Sequence, residues 1–185
     1  MAFAPLRVGC IGMGWWSDVL ADAIERSGKL QIGIHYADVL EYLLGPIRGV
    51  SGQLARLVLP GDNPDVASLI FEHAGGALST LNASYASASE YYLMNIYGKE
   101  ATAYYDMHNG LRLLKRGSDR PVPIRCEGND TIVEQLEEFA AAVRGDGQPE
   151  VGGAYGTASL AVIRAGIVSA REHRRVEVAE VLNND

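Results

Sequence analysis

Cysteine, basic residues and long apolar runs are all scarce in this 185-residue sequence, and each shortage excludes a class of protein. Only two cysteines are present, so neither a disulfide framework nor a cysteine zinc site can form. There are 16 basic and 23 acidic residues, and the resulting formal charge of −7 excludes a basic face for nucleic acid. No apolar run approaches the roughly 20 residues of a membrane-spanning helix.

Apolar residues and glycine, in contrast, are plentiful. Hydrophobic residues make up 48% of the chain and charged residues 21%, a balance that supports a packed core and excludes disorder. The first residues, Met1 to Leu6, lack the pattern of a secretory signal, so we expect a cytoplasmic protein. His73, His108 and His173 are widely spaced, which predicts surface positions and no metal site.

The N-terminal residues 1–28 read as a strand, a glycine-rich turn and a helix. Within the turn, Gly12-x-Gly14-x-x-Ser17 approximates the dinucleotide-binding fingerprint. Its glycines permit a tight turn and bring backbone amides close to a pyrophosphate. The alternative is a glycine turn without a ligand. The window that should hold the ribose-binding acid, Gln31 to His35, contains neither Asp nor Glu.

The remaining chain, residues 29–185, predicts a single α+β domain. Short strands separated by turn signals predict an antiparallel meander. The predicted strands are Val50–Leu59, Asp65–His73, Ala77–Ser87, Tyr91–Tyr97, Thr102–Met107, Leu111–Arg116 and Val122–Cys126. Helices are predicted over residues 34–44, 131–145 and 155–172, and a last strand over 176–181. The expected fold is a largely antiparallel open sheet with helices on one face, preceded by a truncated Rossmann βα unit.

His35 is the candidate catalytic residue. It opens the predicted helix Ile34–Leu44, and Asp38 lies one turn further on, within hydrogen-bonding reach. Histidine can exchange a proton near neutral pH, which suits it to general acid–base catalysis. On spacing alone, the alternative is an ordinary histidine at the start of a helix.

The tyrosines of the meander indicate an interaction surface. Strand alternation places Tyr91, Leu93, Asn95 and Tyr97 on one face of the predicted sheet. A sheet covered by helices on only one side would leave such a face exposed, and exposed apolar faces often mark partner interfaces. We therefore expect a homo-oligomer formed through the sheet face; core packing is the alternative.

These motifs resemble the glucose-fructose oxidoreductase, inositol dehydrogenase and MocA family. Leu6–Ser17 (LRVGCIGMGWWS) resembles the start of its members. Gln31–Pro46 resembles the segment G-x-H-x-x-D-x-x-x-x-L-x-G, which opens their C-terminal domain. Asp65–Tyr105 resembles the sheet of that domain, and Ile132–Val178 resembles its closing helices and last strand.

The resemblance implies an NAD(P)-dependent oxidoreductase of sugars, polyols or cyclic diols that associates through its sheet. It carries over His35 as catalytic and Gly12, Gly14 and Ser17 as cofactor-binding residues. The family's Glu-Lys-Pro motif does not occur here, and Gln31 stands where the family often has Asp. Most of the family's Rossmann domain is absent between the glycine turn and the histidine segment. We therefore expect weak or absent binding of NAD or NADP and no autonomous turnover. The alternative is a non-catalytic oligomerisation or small-ligand-binding domain.

Overall fold

The computed structural model describes residues 35–58, 60, 64–85, 87–89 and 91–182. The predicted βα unit, with Gly12, Gly14 and Ser17, lies outside the described residues. The described chain divides into two compact units. The first contains the chain before residue 87 and from residue 140 onwards, and the second contains residues 87–139.

The described elements are helices and antiparallel strands, as an α+β fold requires. The helices are α1 (residues 35–44), α2 (Thr131–Arg144), α3 (Gly153–Glu172) and α4 (Val178–Leu182). The strands are β1 (Ile47–Ala55), β2 (Val66–His73), β3 (Leu78–Ser84), β4 (Leu93–Tyr97), β5 (Ala101–Asp106), β6 (Gly110–Lys115), β7 (Val122–Pro123) and β8 (Val176–Glu177). The predicted fold class and the seven predicted strands of the meander are confirmed.

The first unit is built on a sheet of order β3-β2-β1-β8, in which all neighbours are antiparallel. Val50 of β1 lies opposite Phe71 of β2, and Leu69 of β2 lies opposite Leu81 of β3. Because side chains alternate along a strand, these four share the inner face of the sheet. All four are buried, and the core continues into α1 and α3.

Helix α3 packs closely on the inner face of this sheet. Gly166 of α3 lies against Leu69, and a Cβ at Gly166 would lie 3.1 Å from a Leu69 methyl carbon. The buried residues of α3 include Ala161, Val162 and Ala165. Small side chains therefore let the helix backbone approach the sheet. Burial of each large aliphatic or aromatic side chain here contributes about 1.5–3 kcal/mol.

Helix α1 ends at a glycine in the left-handed conformation. Gly45 has φ +85° and donates its N–H to the carbonyl of Glu41, and Pro46 follows at once. A glycine adopts this conformation without steric cost, and a proline cannot continue the helix. The chain therefore turns directly from α1 into β1.

The second unit contains a sheet of order β4-β5-β6-β7, again antiparallel. Its β5–β6 hairpin turns at Asn109-Gly110, as the sequence predicts, with Gly110 at φ +65°. Helix α2 begins in this unit and carries the predicted apolar stripe, but none of its residues is buried.

The structure differs from the sequence prediction in two places. The strands form two sheets, because the stretch between β3 and β4 (residues 85–92, YASASEYY) has no tight-turn signal and the two strands do not pair. The predicted last strand, 176–181, is wrong beyond Glu177, where α4 begins. Glu180 accepts the N–H of Glu177 at 2.9 Å, the reciprocal half of a capping box, which starts a helix there.

Two further properties concern the described residues as a whole. Among them, no helix combines the length and the hydropathy that a membrane span requires. Nor does this part of the chain contain a group of three or more His, Cys, Asp or Glu side chains that could hold a metal ion. Cys126 is free and exposed.

Candidate functional site

One face of α1 carries the predicted catalytic histidine. His35, Asp38, Val39 and Tyr42 follow the spacing i, i+3, i+4, i+7, which places them along one side of a helix. Ala37, on another side of the helix, is fully buried in the core. Packing of α1 on the core therefore turns the histidine face outwards, and His35 is exposed.

An open cleft of about 420 Å³ lies beside this face, within the first unit. Its volume is in the range of small-molecule sites. Among the described residues, its lining comes from α1, from the segment that leads into α3 and from the first turn of α3: Asp38, Val39, Tyr42, Glu150, Val151 and Tyr155. His35 is not among them; it lies one helical turn before Asp38. The described part of the lining thus presents two carboxylates, two phenols and two apolar side chains.

A single serine hydroxyl joins α3 to α1 at the wall of the cleft. Ser159 Oγ lies 3.2 Å from Asp38 Oδ1, 3.3 Å from Glu41 Oε2 and 3.3 Å from the carbonyl oxygen of Tyr155. A hydroxyl carries one proton, so these three acceptors share one donor. The arrangement ties the histidine-bearing helix to the long helix of the core.

Glu41 is a buried carboxylate that holds the end of α1. Its side chain is only 7% exposed, and its Oε1 accepts the N–H of Ile47 at 3.1 Å. With Ser159 at its other oxygen, Glu41 has a partner for both atoms. Burial of an unpaired carboxylate would be costly, so this pairing is what allows Glu41 to lie in the core.

His73 is not on the surface, as its position near a turn predicts, but fully buried. Its Nδ1 lies 2.6 Å from the carbonyl oxygen of Gly45, and its Nε2 lies 2.8 Å from Ser79 Oγ. Because a carbonyl oxygen only accepts, Nδ1 is the donor in the first contact. These two hydrogen bonds offset the cost of burying the polar ring, and they connect the end of α1 to the β2–β3 hairpin.

The predicted pairing of His35 with Asp38 is not formed. Within the described residues no hydrogen bond joins them, and the donor to Asp38 is Ser159. Sequence reasoning missed Ser159 and Glu41. The available signal was polar residues within apolar stretches, since Ser159 lies in the run Ala158-Ser159-Leu160-Ala161. The predicted role of His35 stays a prediction.

A network of ion pairs around Arg175 lies in the first unit, away from the described residues that line the cleft. Arg175 donates to both carboxylate oxygens of Glu72 at 2.8 Å and to Glu177 at 2.7 Å. The hydrogen bonds from Arg175 hold the pKa of Glu72 below its usual range, against the opposing effect of desolvation. Gly49 lies beneath this guanidinium, and a Cβ there would collide with it.

In the second unit, a buried carboxylate organises the β5–β6 turn. Asp106 Oδ1 accepts the backbone N–H groups of Asn109 at 2.8 Å and His108 at 3.0 Å, and Oδ2 pairs with Arg112 at 2.7 Å. The backbone N–H of Asn109, with its side chain, the N–H of His108 and the charge of Arg112, lowers the pKa of Asp106.

The predicted outward positions of the tyrosine-rich strand agree with the structure. Leu93 and Tyr97 of β4 are 57% and 75% exposed, whereas Met94 and Ile96 between them are half-buried. Tyr97 also meets Tyr104 edge to face, with ring centroids 6.5 Å apart. The second unit therefore presents an exposed aromatic face.

Comparison with known proteins shows which family the chain resembles. Residues 21–104 match the family model described as the GFO/IDH/MocA C-terminal domain, and most of the described chain superposes on solved oxidoreductases. Over these residues the chain is similar to the C-terminal domain of the GFO/IDH/MocA family. The matched segment includes the histidine-bearing helix and the strands β1 to β4.

Several similar proteins are about twice as long as this chain. D-apiose dehydrogenase of Paraburkholderia graminis is 26% identical over 202 aligned positions, which cover 94% of this chain and 54% of that protein. An NADPH-dependent oxidoreductase from Desulfitobacterium hafniense is 28% identical with a TM-score of 0.76, covering 83% of this chain and 48% of the other. Levoglucosan dehydrogenase in complex with NADH shares the fold, with 20% identity and a TM-score of 0.69. The match covers 80% of this chain and 49% of the levoglucosan dehydrogenase chain. The chain therefore spans about half the length of these relatives.

Proposed function

We propose that this chain supplies the substrate side of an NAD(P)-dependent oxidoreductase that acts on sugars, polyols or cyclic diols. The observation that carries the proposal is the outward face of α1. It bears His35 and, one to two turns further on, three residues that line a cleft of about 420 Å³. The match to the family model supports the reaction class, and the relatives D-apiose dehydrogenase and levoglucosan dehydrogenase support a sugar or sugar-derived substrate.

The cleft residues suit a polyhydroxylated ligand. The carboxylate of Asp38 accepts hydrogen bonds from ligand hydroxyls, and the rings of Tyr42 and Tyr155 cover the apolar C–H faces of a sugar. Glu150 adds a second carboxylate at the same cleft. Hydroxyl-accepting groups and aromatic surface together bind and orient a polyol without requiring charge on it.

His35 is proposed to take the proton of the substrate hydroxyl that is oxidised. The side chain is exposed on the cleft-bearing side of α1, and a neutral imidazole accepts a proton through its unprotonated nitrogen. General acid–base help of this kind contributes about 10²–10⁴-fold when the substrate is correctly positioned. The tie between Ser159, Asp38 and Glu41 holds the helix that presents His35.

A nicotinamide cofactor, when bound, would supply the hydride acceptor. The residues predicted to hold it, Gly12, Gly14 and Ser17, lie outside the described residues. Hydride transfer needs the reacting atoms about 3–3.5 Å apart. The residues that bind the cofactor and the residues that bind the substrate must therefore both be in place. We therefore propose that the chain alone binds NAD(H) or NADP(H) weakly or not at all and does not turn over.

Calorimetric titration tests this function directly. We expect D-apiose, levoglucosan or myo-inositol to bind with millimolar affinity, and NADH and NADPH to show no binding tighter than about 10 μM, about −7 kcal/mol. Replacement of Tyr42 by Ala should weaken polyol binding, whereas Tyr97→Ala, in the other unit, should not. Micromolar cofactor binding, or no polyol binding, would contradict the proposal.

A second candidate function is assembly, which the exposed aromatic face of the second unit favours. Tyr91, Leu93 and Tyr97 are each more than half exposed. Aromatic residues are enriched in interfaces, so we propose that the chain forms a homo-oligomer through this sheet face. If polyol binding fails and assembly is found, the chain is a non-catalytic oligomerisation domain. A cytoplasmic location stays a prediction.

A further inference from the structure

The turn between β5 and β6 contains the one Asn-Gly pair of the sequence, Asn109-Gly110. Such a pair is especially prone to lose the asparagine amide, because glycine has no Cβ to shield its backbone nitrogen. Asn109 is exposed, and a Cβ at Gly110 would meet no other atom within 4 Å, so water reaches the pair. We propose that Asn109 is a deamidation site and that the Asp106 carboxylate protects it in the folded chain.

The reaction needs only water and hydroxide. The backbone nitrogen of Gly110 loses its proton to hydroxide and attacks Cγ of Asn109. The bond from Cγ to Nδ2 breaks, and Nδ2 takes a proton from water and leaves as ammonia. The product is a five-membered succinimide ring, formed without a change of oxidation state. Water then opens the ring at either carbonyl carbon, which gives aspartate or isoaspartate at position 109.

Hydrogen bonds to Asp106 oppose closure of this ring. Nδ2 of Asn109 donates to Oδ1 at 2.9 Å and to Oδ2 at 3.1 Å, and the backbone N–H of Asn109 donates to Oδ1 at 2.8 Å. Ring closure brings Cγ to bonding distance of the Gly110 nitrogen. The side-chain rotation that this takes breaks the bonds from Nδ2, so the folded turn holds the amide in an unreactive position.

The charge of Asp106 adds a second obstacle. Hydrogen bonds led by the Asn109 N–H hold the pKa of Asp106 below its usual range, so the carboxylate is ionised at neutral pH and can only accept. It therefore has no proton for the leaving nitrogen. Attack by the deprotonated Gly110 nitrogen also builds negative charge on the amide beside this carboxylate, and like charges in contact repel. Arg112, 2.7 Å from Oδ2, offsets only part of that repulsion.

Loss of the amide changes the turn. The amide nitrogen is a donor to both oxygens of Asp106, whereas a carboxylate in its place is an acceptor that faces acceptors. The same turn carries the hydrogen bond from the Met107 N–H to the Tyr92 carbonyl, at 3.1 Å, and the His108 ring, whose centroid lies 5.6 Å from that of Tyr91. Deamidation therefore loosens the turn and its contacts with the residues before β4.

Peptide mass spectrometry of the whole chain during incubation at pH 8 and 37 °C tests the proposal. We expect the peptide that contains Asn109 to deamidate at least tenfold more slowly in the native chain than in the chain unfolded in guanidinium chloride. Asn95, which isoleucine follows, provides an internal control and should stay intact in both samples over the same time.

Substitutions assign the protection to Asp106. Asp106→Ala removes the acceptor and the charge, and should raise the rate in the native chain at least fivefold. Arg112→Ala removes the ion pair of the same carboxylate but leaves the hydrogen bonds to Asn109, and should stay within twofold of the wild type. If circular dichroism shows that Asp106→Ala unfolds, Asp106→Asn replaces it. That variant keeps one acceptor oxygen, so its rate should lie between those of the native and the unfolded wild type.

Each result supports the proposal or overturns it. Equal rates in the native and the unfolded chain would overturn the protection. A folded Asp106 variant as slow as the wild type, or Arg112→Ala as fast as Asp106→Ala, would overturn the role of the Asp106 carboxylate. An Asn109 that stays intact in the unfolded chain would overturn the site itself.

Discussion

The sheet of the first unit is covered by helix α3 on its inner face, whereas the described residues of the second unit provide no buried apolar layer for its sheet. Thirteen of the described hydrophobic residues of the first unit are buried, among them Val50, Phe71 and Val162. Among the described residues 87–139 only Asp106 is buried. Both sheets alternate side chains in the same way, so alternation assigns residues to faces, but burial requires a second layer.

The two units also differ in the candidate function that each one supports. In the first unit, packing of α1 and α3 fixes a cleft wall through the Ser159 hydroxyl, which Asp38 and Glu41 share as a hydrogen-bond donor. In the second unit, apolar and aromatic side chains stay exposed on a sheet held by its backbone ladder and by the Asp106 turn. A fixed wall suits recognition of a small ligand, and an exposed aromatic face suits recognition of another protein surface.

The largest expected effect is loss of core packing in the first unit. Phe71 is fully buried, so Phe71→Ala should lower the free energy of unfolding by about 3–5 kcal/mol. The matched change in the other sheet, Ile96→Ala, removes a half-buried side chain and should cost about 1 kcal/mol. Urea unfolding followed by circular dichroism measures both. Equal losses would show that the second sheet is covered by a layer of its own.

The next effect concerns the buried carboxylate at the end of α1. Glu41→Ala leaves the N–H of Ile47 and the hydroxyl of Ser159 without this acceptor, which should cost about 1–3 kcal/mol. Glu41→Gln retains one carbonyl oxygen and should lose less. Thermal unfolding of both variants gives the comparison. If the glutamine variant were as unstable as the alanine variant, the hydrogen bonds of Glu41 would not be the source of its stabilising effect.

Acid should loosen the second unit through Asp106. Because contacts led by the Asn109 N–H lower its pKa in the folded state, its stabilising effect is complete above the ordinary pKa of aspartate. That effect is lost as pH falls through the folded-state pKa. The stability difference between the wild type and Asp106→Asn should therefore be constant near neutral pH and shrink under acid. Hydrogen exchange of the β5–β6 amides from pH 6 to pH 3 follows it. A difference that grows under acid would contradict the sign.

The smallest effect on folding is expected from the aromatic face. Tyr97→Glu replaces a side chain that is 75% exposed, so unfolding should change little, by about 0.5 kcal/mol or less. Association should change much more, because a charge is placed in the proposed interface. Light scattering at tens of micromolar should show an oligomer for the wild type and a monomer for the variant. A monomeric wild type would remove the interface from the account.

Local patterns in the sequence predict much of this fold. Alternation and turn residues locate the strands from β1 to β7, and helical spacing with Gly45-Pro46 locates the end of α1. These signals involve residues that lie close together in the sequence. The division into two sheets depends on which strands pair, which the serine-rich stretch at residues 85–92 does not encode as a turn.

The site is predictable only in part. The face of α1 that carries His35 follows from helical periodicity and from the family resemblance. The roles of Ser159 and Glu41, and the burial of His73, depend on contacts between residues far apart in the chain, such as the 118-residue separation of Ser159 and Glu41. No local pattern reports such a contact, because it exists only after α1 and α3 have packed together.

The central claim is that this chain presents a polyol and a proton acceptor but does not complete hydride transfer. The most direct measurement is turnover, followed by absorbance of the reduced cofactor with NAD or NADP and with myo-inositol, glucose or cyclic diols. The account predicts no turnover for the purified chain at any pH. Turnover by the wild type that is lost in His35→Ala would contradict it and show that the chain itself completes the site.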